Sequence, residues 1–234
     1  MINQELLKKY IDAMGIEIDD YVLDRFDVYA ERLVSWNKKV NLTAITDPDE
    51  IVVKHFVDCL MILRYLDIDG PVKVIDVGCG AGFPGMPLLL ARPQIEITFL
   101  DSVAKKLHFI KDVLRSCGLF QEVNHNRAED LGKEHNYREQ YDIATARAVA
   151  PLNILAEYCM PFVKVGGYFV ALKGPEENID EGKNAIDKLG GEIINDVSYK
   201  LPNGDKRRMI IVKKISQTPT KYPRRSKRIT SKPL

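Results

Sequence analysis

The spacing of apolar residues changes once along the chain, near residue 70, from a helical period to short β-branched runs separated by helices. Before that point, Asn3 precedes Leu6, Leu7, Tyr10 and Ile11, and Gly15 follows them, which predicts a short capped helix. From Asp19, the residues Val22, Phe26, Tyr29, Leu33, Trp36 and Val40 recur at three- and four-residue steps. They predict a long amphipathic helix closed by Asn41-Leu42-Thr43, with Trp36 in the core and Asn37 and Asn41 on the flank of the stripe. Asp47-Pro48-Asp49-Glu50 supplies a cap, a proline at the first helical position and an acid three residues on, so a third helix starts there. Val52, Phe56, Leu60 and Leu63 form its apolar face; His55 and Asp58 share another, which by itself reads as a surface or mutually satisfied pair.

Beyond residue 70, strands and helices alternate, the pattern of a parallel α/β sheet. Predicted strands are Val74–Val77, Ile95–Leu100, Glu122–Asn126, Asp142–Ala148, Tyr168–Leu172, Ile193–Leu201 and Arg208–Lys213. Gly166-Gly167 reads as the turn into the fifth, and Pro202-Asn203-Gly204-Asp205 as the turn of a closing hairpin. Helices are predicted over Met86–Ala91, around Leu107 to Cys117, over Leu152–Phe162 and over Ile179–Leu189. Seven strands ending in an antiparallel hairpin are the layout of the Rossmann-like, class I S-adenosylmethionine-dependent methyltransferase fold. Residues 1–66 then form an N-terminal helical segment on the core, 67–215 the core itself, and 216–234 a tail. In an open α/β sheet the ligand lies at the carboxyl ends of the strands where their order reverses. That rule gathers Gly78, Asp101, Ala128, Glu129 and Arg147 around one crevice.

Charge adds a partner to this picture. Residues 206–234 carry 11 Lys or Arg and no acid, so of the chain's 34 basic and 33 acidic residues the first 205 hold 23 and 33, a net of −10. An acidic body with a basic tail is the pattern of a protein that touches a polyanion. Pro219, Pro223 and Pro233, with Ser and Thr between the charges, predict a tail that is disordered when free. Cys59, Cys79, Cys117 and Cys159 stand singly, which predicts reduced thiols in a cytoplasmic protein and no metal site. The start of the chain lacks a signal-peptide order, and the longest uncharged run, Val77 to Ala91, is too short and glycine-rich to span a bilayer, so no membrane partner is expected.

The candidate chemistry lies between the first strand and its helix, in Asp76-Val77-Gly78-Cys79-Gly80-Ala81-Gly82-Phe83-Pro84-Gly85. Glycines at such a turn let backbone approach a nucleotide-like ligand. The run also spells a dinucleotide pattern, but Asp76 would repel a pyrophosphate, and Pro84 and Pro87 remove donors from the helix start. S-adenosylmethionine, which carries an ammonium and a sulfonium and no phosphate, suits these residues better. Asp101, 23 residues after Gly78 at the end of the second strand, fits the ribose hydroxyls of either cofactor. A nicotinamide oxidoreductase, a turn shaped only by packing, and an RNA-binding protein without catalysis stay open on these residues.

Several segments together, in order, resemble one family: Asn41-Leu42-Thr43, His55-Phe56-Val57-Asp58, the glycine turn, Asp101-Ser102, Arg127-Ala128-Glu129, Thr145 to Ala150, Val170 to Gly174 and Lys221-Tyr222-Pro223-Arg224. The family is the bacterial small-subunit ribosomal RNA methyltransferase G, also called glucose-inhibited division protein B. Cys59 departs from it, where the family usually shows serine. The resemblance implies methyl transfer from S-adenosylmethionine to N7 of one guanine in 16S rRNA of the small ribosomal subunit, in a loop near the decoding site; a monomer is expected, although nothing in the sequence itself gives the oligomeric state. Carried over by motif, Gly78 and Phe83 line the cofactor pocket with Asp76, Gly80 and Asp101; Ala128 and Glu129 meet its adenine side, and Arg147 lies by the reacting end as the candidate catalytic residue. Arg147 has the fork to donate to guanine O6, with a structural ion pair as its alternative role. Asn37, Asn41, His55, Arg224 and Arg225 are the candidates for the RNA side.

Overall fold

The computed structural model describes residues 2–68 and 70–234. Among them, seven strands form one sheet in the order β3-β2-β1-β4-β5-β7-β6. These are β1 (Lys73–Val77), β2 (Glu96–Asp101), β3 (Glu122–His125), β4 (Tyr141–Arg147), β5 (Val163–Lys173), β6 (Gly191–Lys200) and β7 (Lys206–Lys214). β1 to β5 pair in parallel, and β7 runs antiparallel to both β5 and β6. Helices α1 (Gln4–Ala13), α2 (Asp20–Asn37) and α3 precede the sheet; α3 is α-helical over Pro48–Ile51 and Asp58–Leu60 and π-helical over Val52–Val57 between them. Between the strands lie α4 (Gly85–Ala91), α5 (Ala104–Ser116), α6 (Ala128–Leu131), α7 (Leu152–Cys159) and α8 (Ile179–Lys188); α9 (Ser226–Ser231) follows β7.

Alternate strand residues supply two cores. Val74, Ile97, Phe99 and Ile143 face α1 to α5, whereas Ile75, Leu100, Ala144 and Phe169 face α7 and α8. Covering both faces is why these strands read as unbroken apolar runs, and each fully buried large side chain contributes about 1.5–3 kcal/mol. On the first face, the Phe26, Tyr29 and Phe109 rings gather around the sheet, with Phe56 4.9 Å from Phe26 and 5.5 Å from Tyr29. The Tyr29 hydroxyl donates to the Ala81 carbonyl at 2.5 Å, and the Trp36 indole N–H to Asp112 at 2.8 Å. Through Tyr29, α2 is tied directly to the glycine turn.

Three expectations change. Gly166-Gly167 lies inside β5 as a bulge, not before it: pairing jumps from Tyr141↔Val163 to Ile143↔Tyr168, and a Cβ on Gly167 would sit 2.5 Å from the Asp142 carbonyl oxygen. The π turn in α3 rotates its faces, so His55 and Asp58 are both buried, 6% and 3% exposed, and are no surface pair. The tail is docked, not disordered. Tyr222 and Ile229 are buried, Arg138 donates to the Thr218 and Tyr222 carbonyls, and Arg224 pairs at 2.6 Å with Glu157, which is fully buried. Composition counts the tail's cations but not the acids that wait for them elsewhere on the fold.

Candidate functional site

The order of the sheet reverses between β1 and β4, and the chain leaving β1 there turns through Gly78 at φ +68°, a conformation open to glycine. Asp76 is fully buried beneath this turn. One of its oxygens accepts the Gly85 N–H at 3.0 Å and the other the Thr145 hydroxyl at 3.3 Å, while burial pushes its carboxyl up to about 7. Gly85 is required there, since a Cβ would lie 2.8 Å from Asp76 Oδ2 and 2.7 Å from Ile97 Cδ1. With that N–H taken from inside and prolines at positions 84 and 87, the start of α4 offers no cradle for a phosphate.

A cavity of about 290 Å³ opens beside the turn, lined by Gly78, Asp101, Ala128, Glu129, Val149 and Tyr158 among others. Asp101 accepts the Gly80 N–H at 2.9 Å on Oδ2 and the Val103 N–H at 2.8 Å on Oδ1. Each oxygen keeps a lone pair, so the carboxylate is fixed and still able to take the two hydroxyls of a ribose. Glu129 is held by the Arg127 Nε–H at 2.6 Å. Ala128 and the Tyr158 ring supply apolar surface suited to a purine.

A second cavity, of about 570 Å³, adjoins the first and shares Ala148 and Val149 with it. His55, Asp58, Arg147, Lys173, Glu177 and Arg207 are among its walls. Arg147, at the end of β4, donates from Nη1 to the Lys54 carbonyl at 3.1 Å and to Asp58 at 3.2 Å, and from Nη2 to His55 Nδ1 at 3.0 Å; its Cζ lies 4.5 Å from the centre of the Phe83 ring. A guanidinium only donates, so His55 Nδ1 accepts and the ring proton sits on Nε2, which donates to Thr43 Oγ1 at 2.9 Å. The imidazole is therefore neutral, stacked on Phe83 at 4.3 Å, and burial with the Arg147 charge pushes its pKa down to about 3. Asp58 also accepts the Tyr199 hydroxyl at 2.7 Å, and burial raises that phenol's pKa. Lys173 donates to the Ala150 carbonyl at 2.5 Å and pairs with Glu177 at 3.0 Å, fixing the loop between the cavities.

A pH dependence follows. The unfolded chain binds a proton on His55 below about pH 6.5, and the folded chain refuses it until about 3. The contribution of His55 to stability should therefore rise as pH climbs from about 3 to about 6.5. In a His55→Gln variant that contribution is absent, so the gap between the two proteins in urea unfolding should widen with pH across this window. A constant gap would show that His55 takes up its proton in the fold as readily as in the unfolded chain.

The residues expected at the cofactor thus separate. Gly78, Asp101, Ala128 and Glu129 line the first cavity, Arg147 and His55 the second. Asp76 and Phe83 lie buried under the turn, and Gly80 holds Asp101 through its backbone. Of those expected at the RNA, Asn37 is committed to the protein: it accepts the Leu42 and Thr43 N–H groups at 2.8 and 3.0 Å and donates to the Thr43 carbonyl, aiming Thr43 at His55. Arg224 is committed to Glu157, while Asn41 and Arg225 are exposed. Tyr158, Glu177, Tyr199 and Arg207 carried no local signal; Lys173 had one, its place at the carboxyl end of a strand.

Residues 23–208 match the sequence profile of the family described as rRNA small subunit methyltransferase G. A protein of Alkaliphilus metalliredigens named ribosomal RNA small subunit methyltransferase G is 46% identical over 241 residues, covering all of both chains. Its namesake from Caldanaerobacter subterraneus is 47% identical over 234 residues and 98% of each chain. Among solved structures, TrmN from Thermus thermophilus matches with a TM-score of 0.53 at 16% identity, over 68% of this chain and 48% of its own. An SAM-dependent O-methyltransferase from Thermotoga maritima matches with a TM-score of 0.52 at 17% identity, over 79% and 72%. These structures share the class I methyltransferase fold. Full-length identity approaching one half, on a fold whose glycine turn, Asp101 and Arg147 stand at the sheet's reversal point, shows that the chain belongs to the rRNA small subunit methyltransferase G family.

Proposed function

We propose that the protein transfers the methyl group of S-adenosylmethionine to N7 of a guanine in 16S ribosomal RNA, in a loop near the decoding site, acting in the cytoplasm on the small subunit. The observation that carries this reading is the meeting of two cavities at Ala148–Val149, one with a fixed ribose-type carboxylate and the other with an arginine-centred wall. Asp101 would hold the donor's ribose, Ala128 and Tyr158 its adenine, and the backbone at Gly78 its methionine portion. When bound, the donor supplies an electrophilic methyl on sulfur. Guanine N7 has a free lone pair at neutral pH, so the acceptor loses no proton and alignment is the main demand.

The surrounding groups suit that demand. His55 is neutral with its lone pair facing Arg147, and Asp58 is occupied by Arg147 and Tyr199, so neither is poised as a base. Arg147, held by three acceptors and a ring, is assigned as a positioning residue that shapes the acceptor wall. Tritiated methyl transfer to small subunits, followed by borohydride-induced cleavage mapping, should mark one guanine in 16S rRNA. Transfer to any position other than N7 would overturn the acceptor assignment, and donor binding without transfer would make this an RNA-binding module.

For the RNA, α9 presents Lys227 and Arg228 exposed beside Arg225. Arg127, on the wall of the donor cavity, donates to the Ser226 hydroxyl at 3.0 Å and so seats this basic helix at the cleft. Deleting the tail would also leave Glu157 buried without Arg224, so charge removal is the cleaner probe. A Lys227→Gln, Arg228→Gln double variant should keep donor affinity and lower the slope of log affinity against log salt by about 1.4 for RNA. An unchanged slope would reduce α9 to a solvated helix.

A further inference from the structure

The acceptor cavity continues past Arg207. That residue also lines a third cavity, of about 550 Å³, whose walls include Ser198, Tyr199, Lys200 and Lys206 at the turn end of the β6–β7 hairpin. Lys200 and Lys206 are direct partners across the antiparallel ladder. Like charges facing one another there destabilise a hairpin. Both are exposed, and among the described residues neither has a carboxylate within 4.0 Å. The neighbouring acids are taken by arginines: Asp205 by Arg207 at 3.4 Å and Asp196 by Arg208 at 2.7 Å. Glu176 on the cavity wall sets one negative charge against the positive charges of Lys200, Lys206 and Arg207.

We propose that this groove carries the single-stranded RNA next to the target guanine, with phosphates over Lys200 and Lys206 and with Arg207 at the junction. The inference rests on reading the adjoining cavity as the guanine site. A base whose N7 must reach a donor behind Ala148–Val149 is drawn out of its stack, so its backbone has to leave over the cavity rim. The uncompensated lysine pair stands where the cavity opens onward, and its chemistry matches consecutive phosphates better than a solvated loop. α9 joins the molecule at the donor cavity, so the hairpin offers a separate contact to the RNA.

A Lys200→Gln, Lys206→Gln double variant tests this with both side chains exposed and the hairpin relieved of repulsion. The probe is a single-stranded RNA bearing the target loop, titrated by fluorescence anisotropy across a salt series, with donor calorimetry and single-turnover transfer alongside. We expect the salt slope to fall by about 1.4, donor affinity and the rate at saturating RNA to hold, and the melting temperature to stay level or rise. Trimming the nucleotides that flank the guanine should erase the difference between variant and parent. A full salt slope in a folded variant, with the parent still methylating guanine, overturns the groove alone. No transfer by the parent to guanine, either in this RNA or in whole small subunits, overturns the guanine reading and the groove with it. Weaker binding to whole subunits with unchanged binding to free RNA would assign the groove to a ribosomal protein, which also overturns the proposal.

Discussion

A Gly78→Asp variant should fold and yet bind S-adenosylmethionine about a hundredfold more weakly or worse, a loss of roughly 2.7 kcal/mol. Gly78 has φ +68°, a region that aspartate tolerates better than most side chains, so the turn itself survives. A Cβ at this position would lie 2.8 Å from Val149 Cγ2, and Val149 is 39% exposed on a bend, where it has room to give. The new carboxylate would then fill the floor of the donor cavity and add a negative charge near Asp101 and above Asp76. Calorimetric titration with the donor checks this, with a melting curve to confirm folding. Parent-like affinity in a folded variant would place the donor elsewhere.

The largest stability effect is expected at Asp58. Its carboxylate accepts from Arg147 at 3.2 Å and from Tyr199 at 2.7 Å, and Arg207 Nε lies 3.9 Å away. Asp58→Ala leaves the Arg147 guanidinium without its counter-charge among side chains that are themselves buried, which should cost about 3–5 kcal/mol in urea unfolding. Transfer should slow as well, because His55 and the acceptor wall are held through Arg147. Adding Arg147→Met should recover part of the stability and none of the transfer, since removing both charges relieves the desolvation penalty and leaves nothing to shape the wall. A loss below about 1 kcal/mol for Asp58→Ala would show that Arg147 finds water or another partner, as an exposed pair would.

Asp58 also marks the limit of what could be read along the chain. Its spacing from His55 suggested a pair on one helix face, and both residues do act together. What joins them is Arg147, 89 residues from Asp58, with Tyr199 a further partner 141 residues from it. The π turn that aims His55 and Asp58 inward has no signature in the apolar period, which is that of an ordinary helix. Arg147 itself was legible as a residue at the end of a reversal-point strand. Its alternative role as an ion pair was legible too, but its actual partners, Asp58, His55 and the Lys54 carbonyl, were not.

By itself, the order of residues determined most of the elements, because these rest on local chemistry; the reversal point followed only from the fold layout those elements match. Asn3 and Asp47 cap the helices that follow them, glycine permits the φ at residue 78, and β-branched runs such as Val74–Val77 need both faces covered. It also determined that a fixed acid, Asp101, would stand one strand away from that turn. Only the tertiary structure decided which charges are spent. Arg224 looked free for RNA and is bound to Glu157, 67 residues away, while Lys200 and Lys206, which carried no signal of their own, face each other uncompensated. Burial sets that outcome: an acid shut away from water, as Glu157 is, must have a cation, and the fold alone determines which one arrives.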